Sequence, residues 1–469
     1  MDSLQNSMQK GVSRKVALVV VTIASFLTPF MMSAINIALP TIGREFAMDA
    51  VLLAWVPTSY LLSTTVFLLP FGRIADMYGR KRIFTYGIVI YILSSLLVAT
   101  STSAIMLILF LIPQGIGAAM ILCSGIAIIA SSYPVEGRGR ALGINVAAVY
   151  LGLSLGPFLG GLLTQYFGWR SIFLTSLPLG LIVIMLVLWK MKGEWAEAKG
   201  EKFDLSGSVI YGLAVVAIMY GLSILPEILG LVVILIGLIG LVVFVWRETK
   251  AANPLFEMNL FKKNRVFAFS NLAALISYSA TFAVTYLLSL YLQYTKGFSP
   301  QTAGMVLLSM PAVQAIFSPL AGKLSDRIAP QILASLGMAL TTIGLILLTF
   351  LGLNTAISFV VVCLIILGFG FAFFSSPNTN AVMGSVETKT YGVASATLST
   401  MRSVGMMLSM GIAMVMSTIY VGRVEITPEY YSAFVAGMKV AFIIFAVLCF
   451  LGIFASLARG KSKKISLQP

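Results

Sequence analysis

The sequence contains no histidine, only three cysteines and few charged residues, and each scarcity excludes a class of protein. Without histidine, catalytic triads and metal centres built on imidazole are ruled out. Cys123, Cys363 and Cys449 stand alone within apolar segments, so they support neither a disulfide framework nor a metal site. Charged residues make up 10% of the chain, whereas soluble domains contain about 25%. The chain is therefore not an ordinary soluble domain.

Apolar residues dominate instead, at 59% of the sequence, and the mean hydropathy is +0.99. These values indicate an integral membrane protein that sits in a lipid bilayer. The net charge of +15 does not indicate a nucleic-acid partner, because the basic residues form small groups between apolar runs rather than one stripe or tail. No Walker-type GxxxxGK[ST] run occurs. We expect neither ATP-driven transport by this chain alone, nor an enzyme, nor a cofactor or metal.

Apolar segments long enough to cross a hydrocarbon core of about 30 Å recur along the whole chain. They predict fourteen spans, at 16–40, 51–71, 83–101, 104–131, 141–166, 171–189, 207–225, 228–246, 267–292, 302–321, 331–352, 355–376, 392–420 and 434–456. The first span is too long for a signal-peptide core and lacks a small-residue cleavage site, so we interpret it as a true helix.

Most of the 31 lysines and arginines lie in alternate connections between the spans. Only Arg44, Arg170, Lys296, Arg423 and Lys439 fall on the other side. Because Lys and Arg near span ends stay on the cytoplasmic side, this distribution predicts a multi-pass protein of the plasma membrane with both termini in the cytoplasm.

A charged turn occurs twice, at Gly72–Arg82 after the second span and at Gly322–Pro330 after the tenth. Two six-helix repeats joined directly would put the second copy after the eighth span, so two extra spans lie between the repeats. We therefore predict an N-terminal six-helix bundle at 1–190, linkers with two extra helices at 191–265, and a C-terminal six-helix bundle with a basic tail at 266–469.

Six short motifs are similar to those of one transporter family. They are Gly72–Arg82, Gly152–Gly161, Asn36–Pro40, Trp169–Phe173, Phe203–Gly207 and Tyr291–Gln293. With them the chain resembles the major facilitator superfamily, in particular its fourteen-helix drug/proton antiporter branch of multidrug efflux type. The resemblance implies an all-α integral membrane fold of two six-helix bundles with two additional transmembrane helices between them, acting as a monomer.

The charged turns are candidates for a cytoplasmic gate. In the first turn, glycine permits a tight reversal and a carboxylate can favour one packing of neighbouring helix ends. The resemblance assigns Asp76 and Arg80 to a latch that holds the cytoplasmic side shut. The candidate latch residues are Gly72, Asp76, Gly79, Arg80, Asp326 and Arg327. The alternative is a basic loop that only fixes topology.

The fifth span carries a candidate hinge. Gly152, Gly156 and Gly160 recur every four residues and so share one helix face, where they permit close backbone approach, and Pro157 loosens the helix beside them. The resemblance makes these residues, with Gly161, a motif associated with exporters. The alternative is generic packing of small residues.

Two positions depart from the family pattern. Alignment with the resembling motifs puts Met31 in place of the usual aspartate and Leu111 in place of the usual arginine. None of the sixteen acidic residues falls at mid-bilayer depth on the predicted span map. Proton coupling ordinarily needs a titratable group near the midplane, and the sequence offers no obvious one. Protons are therefore expected as a coupling partner only because the family resemblance implies them.

Arg402 is the ionisable residue at depth, about one-third of the way into the thirteenth span, where insertion costs roughly 2.5–3.5 kcal/mol. One hypothesis is that it faces a cavity and favours neutral or anionic amphiphiles. The alternative is a structural arginine that bonds carbonyls or snorkels. The other candidate cavity residues, each with helix packing as the alternative, are Asn36, Tyr60, Gln114, Asn145, Asn271, Tyr278, Tyr286, Gln314 and Asn378.

The sequence thus predicts a secondary transporter that exports small amphipathic or hydrophobic compounds by alternating access around a midplane cavity. Two alternatives remain open. The first is a uniporter or importer of an anionic or lipid-like metabolite, and the second is a membrane sensor or scaffold that has lost transport.

Overall fold

The computed structural model describes residues 2–133, 135–191, 193–196, 198, 200–251, 254–325, 327–386 and 391–460. The α-helices in these residues are α1 (Asp2–Glu45), α2 (Ala50–Tyr78), α3 (Arg80–Ala99), α4 (Ala104–Ser132), α5 (Val135–Phe167), α6 (Arg170–Leu174), α7 (Ser176–Lys190), α8 (Leu205–Ser223), α9 (Ile228–Glu248), α10 (Met258–Lys263), α11 (Arg265–Leu290), α12 (Pro300–Leu307), α13 (Ser309–Ser325), α14 (Pro330–Leu348), α15 (Ile357–Gly384), α16 (Tyr391–Tyr420) and α17 (Tyr431–Leu457).

Fourteen helical segments among these residues are long and apolar enough to cross a membrane, and each overlaps one predicted span. The all-α membrane fold and the number of spans are thereby confirmed. The sixth span consists of α6 and α7, and the tenth consists of α12 and α13. A π-helical turn at Tyr291–Thr295 continues α11.

Helix ends differ from the ends of the apolar segments. α2 continues to Tyr78, although its apolar run ends near residue 71, and α15 continues to Gly384 through Pro377. Hydropathy marks where lipid contact ends, whereas a helix continues until its backbone bonding is broken. The predicted charged turn at Gly72–Arg82 is therefore mostly helix.

The two six-helix groups repeat the same packing. α1 lies along α5, and α11 lies along α16, so the first and fifth helices pair in each group. A Cβ at Gly117 of α4 would lie 2.8 Å from the Gly87 carbonyl oxygen of α3. A Cβ at Gly337 of α14 would lie 2.6 Å from the Gly370 carbonyl oxygen of α15. Because glycine lets backbones approach closely, these matching contacts support the inferred duplication.

The helical assembly as a whole has two ends. We call the end where α1 begins and α17 finishes the basic face, and the other end, which contains the α1–α2 connection, the opposite face. The hydrogen bonds that directly join described residues of the first bundle (α1–α7) and the second bundle (α11–α17) lie between the middle of the helices and the opposite face.

The two extra helices cover one seam between the bundles. α8 contacts both α2 and α16, whereas α9 packs mainly on α8. The Tyr211 hydroxyl of α8 donates to the Thr65 carbonyl oxygen of α2 at 3.2 Å. A Cβ at Gly411 of α16 would lie 2.5 Å from the Leu222 side chain of α8. Most of α9 is exposed outside this contact, as expected of a helix that faces lipid.

Candidate functional site

The candidate latch on the basic face reverses the chain at one residue. Gly79 separates α2 from α3 and has a φ of 119°, a conformation that glycine adopts without steric cost. The Asp76 carboxylate accepts a hydrogen bond from Arg80 Nε at 2.7 Å. Arg80 also donates to the Ser131 hydroxyl of α4. Asp76 and Arg80 therefore form a pair within the first bundle.

The linker after α7 is docked on this reversal. The Trp195 carbonyl oxygen accepts from the Arg80 amide at 2.9 Å, and the Asp76 carbonyl oxygen accepts from the Ala198 amide at 3.0 Å. Glu194 Oε1 accepts from the Lys81 amide at 2.8 Å, so Glu194 caps the start of α3. The chain segment that leaves the first bundle is thus bonded to the candidate latch.

Glu194→Ala is expected to remove the α3 cap and release the linker. Loss of a side-chain cap costs about 1 kcal/mol, so the melting temperature should fall and proteolysis within residues 191–204 should become faster. The matched control is Glu227→Ala, since Glu227 is an exposed carboxylate whose ion pair with Arg423 has an N–O distance of 3.9 Å. Equal proteolysis of the two variants would contradict the clamping role of Glu194.

The structure describes only part of the second charged turn. α13 ends at Ser325, Asp326 lies outside the described residues, and Arg327 is exposed. Ser325 accepts a hydrogen bond from the Asn380 side chain of α15 at 2.7 Å. The gating role of both turns stays a prediction.

The motif of the fifth span has two faces. Gly152, Gly156 and Gly160 face α1, where Cβ atoms would lie 2.5 Å from the Phe26 carbonyl oxygen, 2.5 Å from Ser33 Cβ and 2.8 Å from Ala34 Cβ, respectively. These three glycines allow close backbone approach between α1 and α5.

Gly161 and Pro157 form the other face of that motif and meet the second bundle. A Cβ at Gly161 would lie 2.5 Å from the Pro300 carbonyl oxygen of α12. A Cβ at Gly304 of α12 would lie 2.2 Å from the Pro157 carbonyl oxygen. Gly161 and Pro157 are therefore the residues of the motif that can affect movement between the bundles.

A small set of hydrogen bonds closes the opposite face, and we call it the seal. The Ser289 hydroxyl donates to the Asn36 carbonyl oxygen at 2.6 Å. The Gln293 side chain donates to the Ile37 carbonyl oxygen at 2.9 Å. The Ala50 amide donates to the Val424 carbonyl oxygen at 3.0 Å. Hydrogen bonds between helices in membranes average about 0.6 kcal/mol each, so the seal can be broken by a modest change in free energy.

A polar cluster lies between the two bundles below the seal, and we call it the Arg402 cluster. It consists of Tyr150 from the first bundle and Tyr278, Ser375, Thr379 and Arg402 from the second. Arg402 Nη2 donates to Thr379 Oγ1 at 2.6 Å, and the guanidinium lies 5.5 Å from the centre of the Tyr278 ring. The Tyr150 and Ser375 hydroxyl oxygens are 2.8 Å apart. The cluster thus joins the two halves of the molecule.

The Arg402 guanidinium has a hydrogen-bond donor that could still bind a ligand. Its Nε is buried without a hydrogen-bond partner, and none of the described carboxylates forms an ion pair with it. Its neighbours are a hydroxyl group and an aromatic ring, both neutral. A guanidinium in this condition is suited to an anionic or strongly polar ligand group, because charge-assisted bonds form readily there.

The remaining predicted cavity residues are all buried, with 3% exposure or less. They are Asn36, Tyr60, Gln114, Asn145, Asn271, Tyr286, Gln314 and Asn378. Gln114 donates to Ser95 at 2.7 Å inside the first bundle, and Asn378 donates to the Ser270 carbonyl oxygen at 3.2 Å inside the second. Gln314 is close to the Tyr150 hydroxyl. The structure therefore brings Tyr278 and Gln314 to the Arg402 cluster, and a substrate role for the others stays a prediction.

Comparison with known proteins decides the family. The profile described as Major Facilitator Superfamily matches residues 21–410 and 270–468. The chain belongs to the major facilitator superfamily. It is 32% identical over 377 residues to multidrug resistance protein Stp of Mycobacterium tuberculosis (strain ATCC 25618 / H37Rv). The aligned region covers 79% of this chain and 70% of Stp. This similarity, with that to other resistance and export proteins, supports the drug-efflux branch.

A second relative has a different name. The chain is 29% identical over 444 residues to the riboflavin transporter RibZ of Clostridioides difficile (strain 630), covering 93% of this chain and 96% of RibZ. The fold is similar to that of a bacterial homologue of the human lysosomal transporter Spinster in its inward-facing and unoccupied conformation. That match has a TM-score of 0.67 and 17% identity, and it covers 95% of this chain and 97% of the other.

Two positions of the first bundle are buried and apolar in the structure. Met31 and Leu111, the two positions that depart from the family pattern, are 1% and 0% exposed and belong to the apolar core. Both positions are therefore filled by packing rather than by charge.

Sequence reasoning missed several residues of the site. Tyr150, Ser375 and Thr379 were not among the candidates, and neither were Gly304 and Glu194. Tyr150 carried a usable signal, since it is a tyrosine within an apolar span only two residues before the Gly152 motif. The others gave no local signal, because their importance comes from contacts with distant helices or with the linker.

Proposed function

We propose that this member of the superfamily exports small amphipathic compounds, neutral or anionic, from the cytoplasm by alternating access. The Arg402 cluster carries this proposal, because it offers a cation that no described carboxylate pairs with, and an aromatic ring, at the interface that such movement would open. In this proposal the basic face is cytoplasmic, the protein is a monomer of the plasma membrane, and the candidate latch closes the cytoplasmic side when the seal opens.

The expected selectivity follows from charge. A lipophilic cation would be repelled by Arg402, which has no described carboxylate to offset it, whereas an anionic group would complete its hydrogen bonding. A planar aromatic compound could in addition stack on Tyr278. The multidrug resistance relatives are consistent with substrates of varied structure.

A second candidate is a carrier for a flavin-like metabolite. It is favoured by the similarity to RibZ, which extends over nearly the full length of both chains, and by the combination of tyrosines and neutral hydrogen-bonding groups in the Arg402 cluster. Riboflavin combines a planar aromatic ring system with a polar side chain and is uncharged at neutral pH, and it therefore falls within the same proposed substrate class.

Transport by the purified protein in liposomes tests these possibilities. The panel is a broad set of compounds that includes riboflavin, an anionic dye and a cationic dye, each measured with and without an imposed pH gradient. Movement stimulated by the gradient supports antiport, and equilibration that ignores the gradient supports a uniporter. No movement of any compound in a broad panel would overturn the transport proposal in favour of the scaffold.

A further inference from the structure

The two extra helices start and finish at a pair of carboxyl groups on the basic face. Asp204 caps the N-terminus of α8, and Glu248 is the last residue of α9. Neither group has a role in the proposed substrate path, which lies between the two bundles. Their surroundings nevertheless differ from those of an ordinary surface acid.

One oxygen of Asp204 is fully engaged. Its Oδ1 accepts from the Gly207 amide at 2.9 Å, the Ser206 hydroxyl at 3.0 Å and Arg247 Nη2 at 2.9 Å. Burial alone would raise the pKa of Asp204, but the bonds from Arg247, Gly207 and Ser206 outweigh it and hold this pKa below its ordinary value. Asp204 is therefore the member of the pair that stays ionised.

The second oxygen of Asp204 lies on the same side of Gly207 as an oxygen of Glu248. Glu248 is 3% exposed, and its Oε2 accepts from the Phe256 amide at 2.9 Å. Glu248 Oε1 and Asp204 Oδ2 are both buried without a hydrogen-bond partner. A Cβ at Gly207 would lie 2.5 Å from Asp204 Oδ2 and 2.8 Å from Glu248 Oε1, so the two unpartnered oxygens converge on the same side of Gly207.

Two buried carboxylate oxygens cannot face each other at low cost while both groups are ionised, because like charges repel and each lacks a donor. The charged groups that act on Glu248 in the described part of the chain are Asp204 and Arg247. Lys250 instead lies over the Trp246 ring, 4.0 Å from its centre. One cation, Arg247, faces two acids.

We propose that Asp204 and Glu248 form a proton-binding site, in which Glu248 Oε1 carries the proton and donates it to Asp204 Oδ2. A single proton satisfies both unpartnered oxygens at once. It also leaves one negative charge, on Asp204, opposite the one positive charge of Arg247. The site then has no uncompensated charge.

The position of this site connects it to both bundles. Before Asp204, the linker is bonded to the candidate latch through Ala198 and Asp76. After Glu248, Phe256 stacks on Phe261 with ring centres 5.1 Å apart, and Phe261 packs at 5.1 Å on Phe267 of α11. Release of the proton would leave two facing carboxylates where the two linkers meet, and so would loosen the helix pair from both bundles.

Infrared difference spectroscopy of the purified full-length protein across a pH jump tests the proposal. The wild type should show the carbonyl stretch of a protonated carboxyl group at neutral pH. Glu248→Gln should abolish that band while folding normally, because the amide can still accept from Phe256 and donate to Asp204. Glu227→Gln, the control at the other end of the same helix pair, should leave the band unchanged.

The second partner gives an independent measurement. Asp204→Asn keeps a residue that caps helices well but removes the ionised acceptor, so the band should disappear at a lower pH than in the wild type. Absence of the band from the wild type, or its survival in Glu248→Gln, would overturn the proposal. Displacement of the band by sodium at constant pH would also overturn it, in favour of a metal-cation site. None of these readouts depends on transport.

Discussion

Replacing Gly304 with alanine is expected to open the opposite face and to reduce transport about tenfold or more, since overpacking typically costs 1–3 kcal/mol and about 1.4 kcal/mol corresponds to a factor of ten. The added Cβ would lie 2.2 Å from the Pro157 carbonyl oxygen, a backbone atom that cannot rotate away. The clash exists only while α12 lies against α5. The substitution therefore disfavours the conformation with a closed seal.

Alanine in place of glycine ordinarily stabilises a helix by roughly 0.5–1 kcal/mol, so loss of function would come from the contact between bundles and not from weaker helix formation. Gly143→Ala is the matched control, because a Cβ there would meet nothing within 4 Å. The measurement is the labelling rate of a single cysteine at Asn36 from the opposite face. An unchanged rate in Gly304→Ala would contradict the prediction.

Replacing Arg402 with glutamine is expected to reduce export of an anionic dye about tenfold and to leave a cationic dye unaffected or exported faster. The charge interacts with a ligand in a medium of low effective dielectric constant, where a close ion pair is worth far more than in water. Even 1.4 kcal/mol of that interaction corresponds to a factor of about ten. Export rates of matched dye pairs in liposomes measure the effect.

Two further variants separate charge from geometry. Arg402→Lys keeps the charge but loses the planar fork that reaches Thr379, so it should recover part of the anion preference. Arg423→Gln removes the same charge on the opposite face, where its contact to Glu227 has an N–O distance of 3.9 Å, and should leave selectivity unchanged. If Arg402→Gln lowers the melting temperature without changing selectivity, Arg402 is a structural residue.

The fourteen spans could be predicted because hydropathy alone determines which segments can lie in lipid. Their ends could not, as α2 shows: the helix runs past Arg73 and Asp76 to Gly79 because charged residues near a membrane face do not interrupt backbone hydrogen bonding. The breaks between α6 and α7 and between α12 and α13 were not predicted, although each first helix ends four residues before a proline, Pro178 or Pro311, that cannot donate the next backbone hydrogen bond.

The candidate site was predictable only in part. Arg402 and Tyr278 were found because a charge or a phenol inside an apolar span is costly enough to need a purpose. Gln114 and Asn378 look the same in sequence, yet they bond within one bundle. The difference depends on which helix each side chain faces. Because that helix is distant in the sequence, the contact is determined by the packing of the whole fold and cannot be predicted from neighbouring residues. Gly304 is the clearest case, because its significance comes entirely from Pro157.

The central claim is that the two bundles move against each other, opening one face while closing the other around the Arg402 cluster. Distances between spin labels measure this directly. One pair, at Gly143 of α5 and Gly384 of α15, reports on the basic face, and a Cβ would meet nothing within 4 Å at either position. The other pair, at Tyr166 of α5 and Gln301 of α12, reports on the opposite face, where the two side chains are joined at 3.2 Å.

The measurement is made in liposomes with and without a compound that the transport assay has identified as a substrate. The account predicts reciprocal changes, so that substrate populates a state in which the Tyr166–Gln301 distance is longer and the Gly143–Gly384 distance is shorter. Distances that stay fixed, or that lengthen together at both faces, would contradict it.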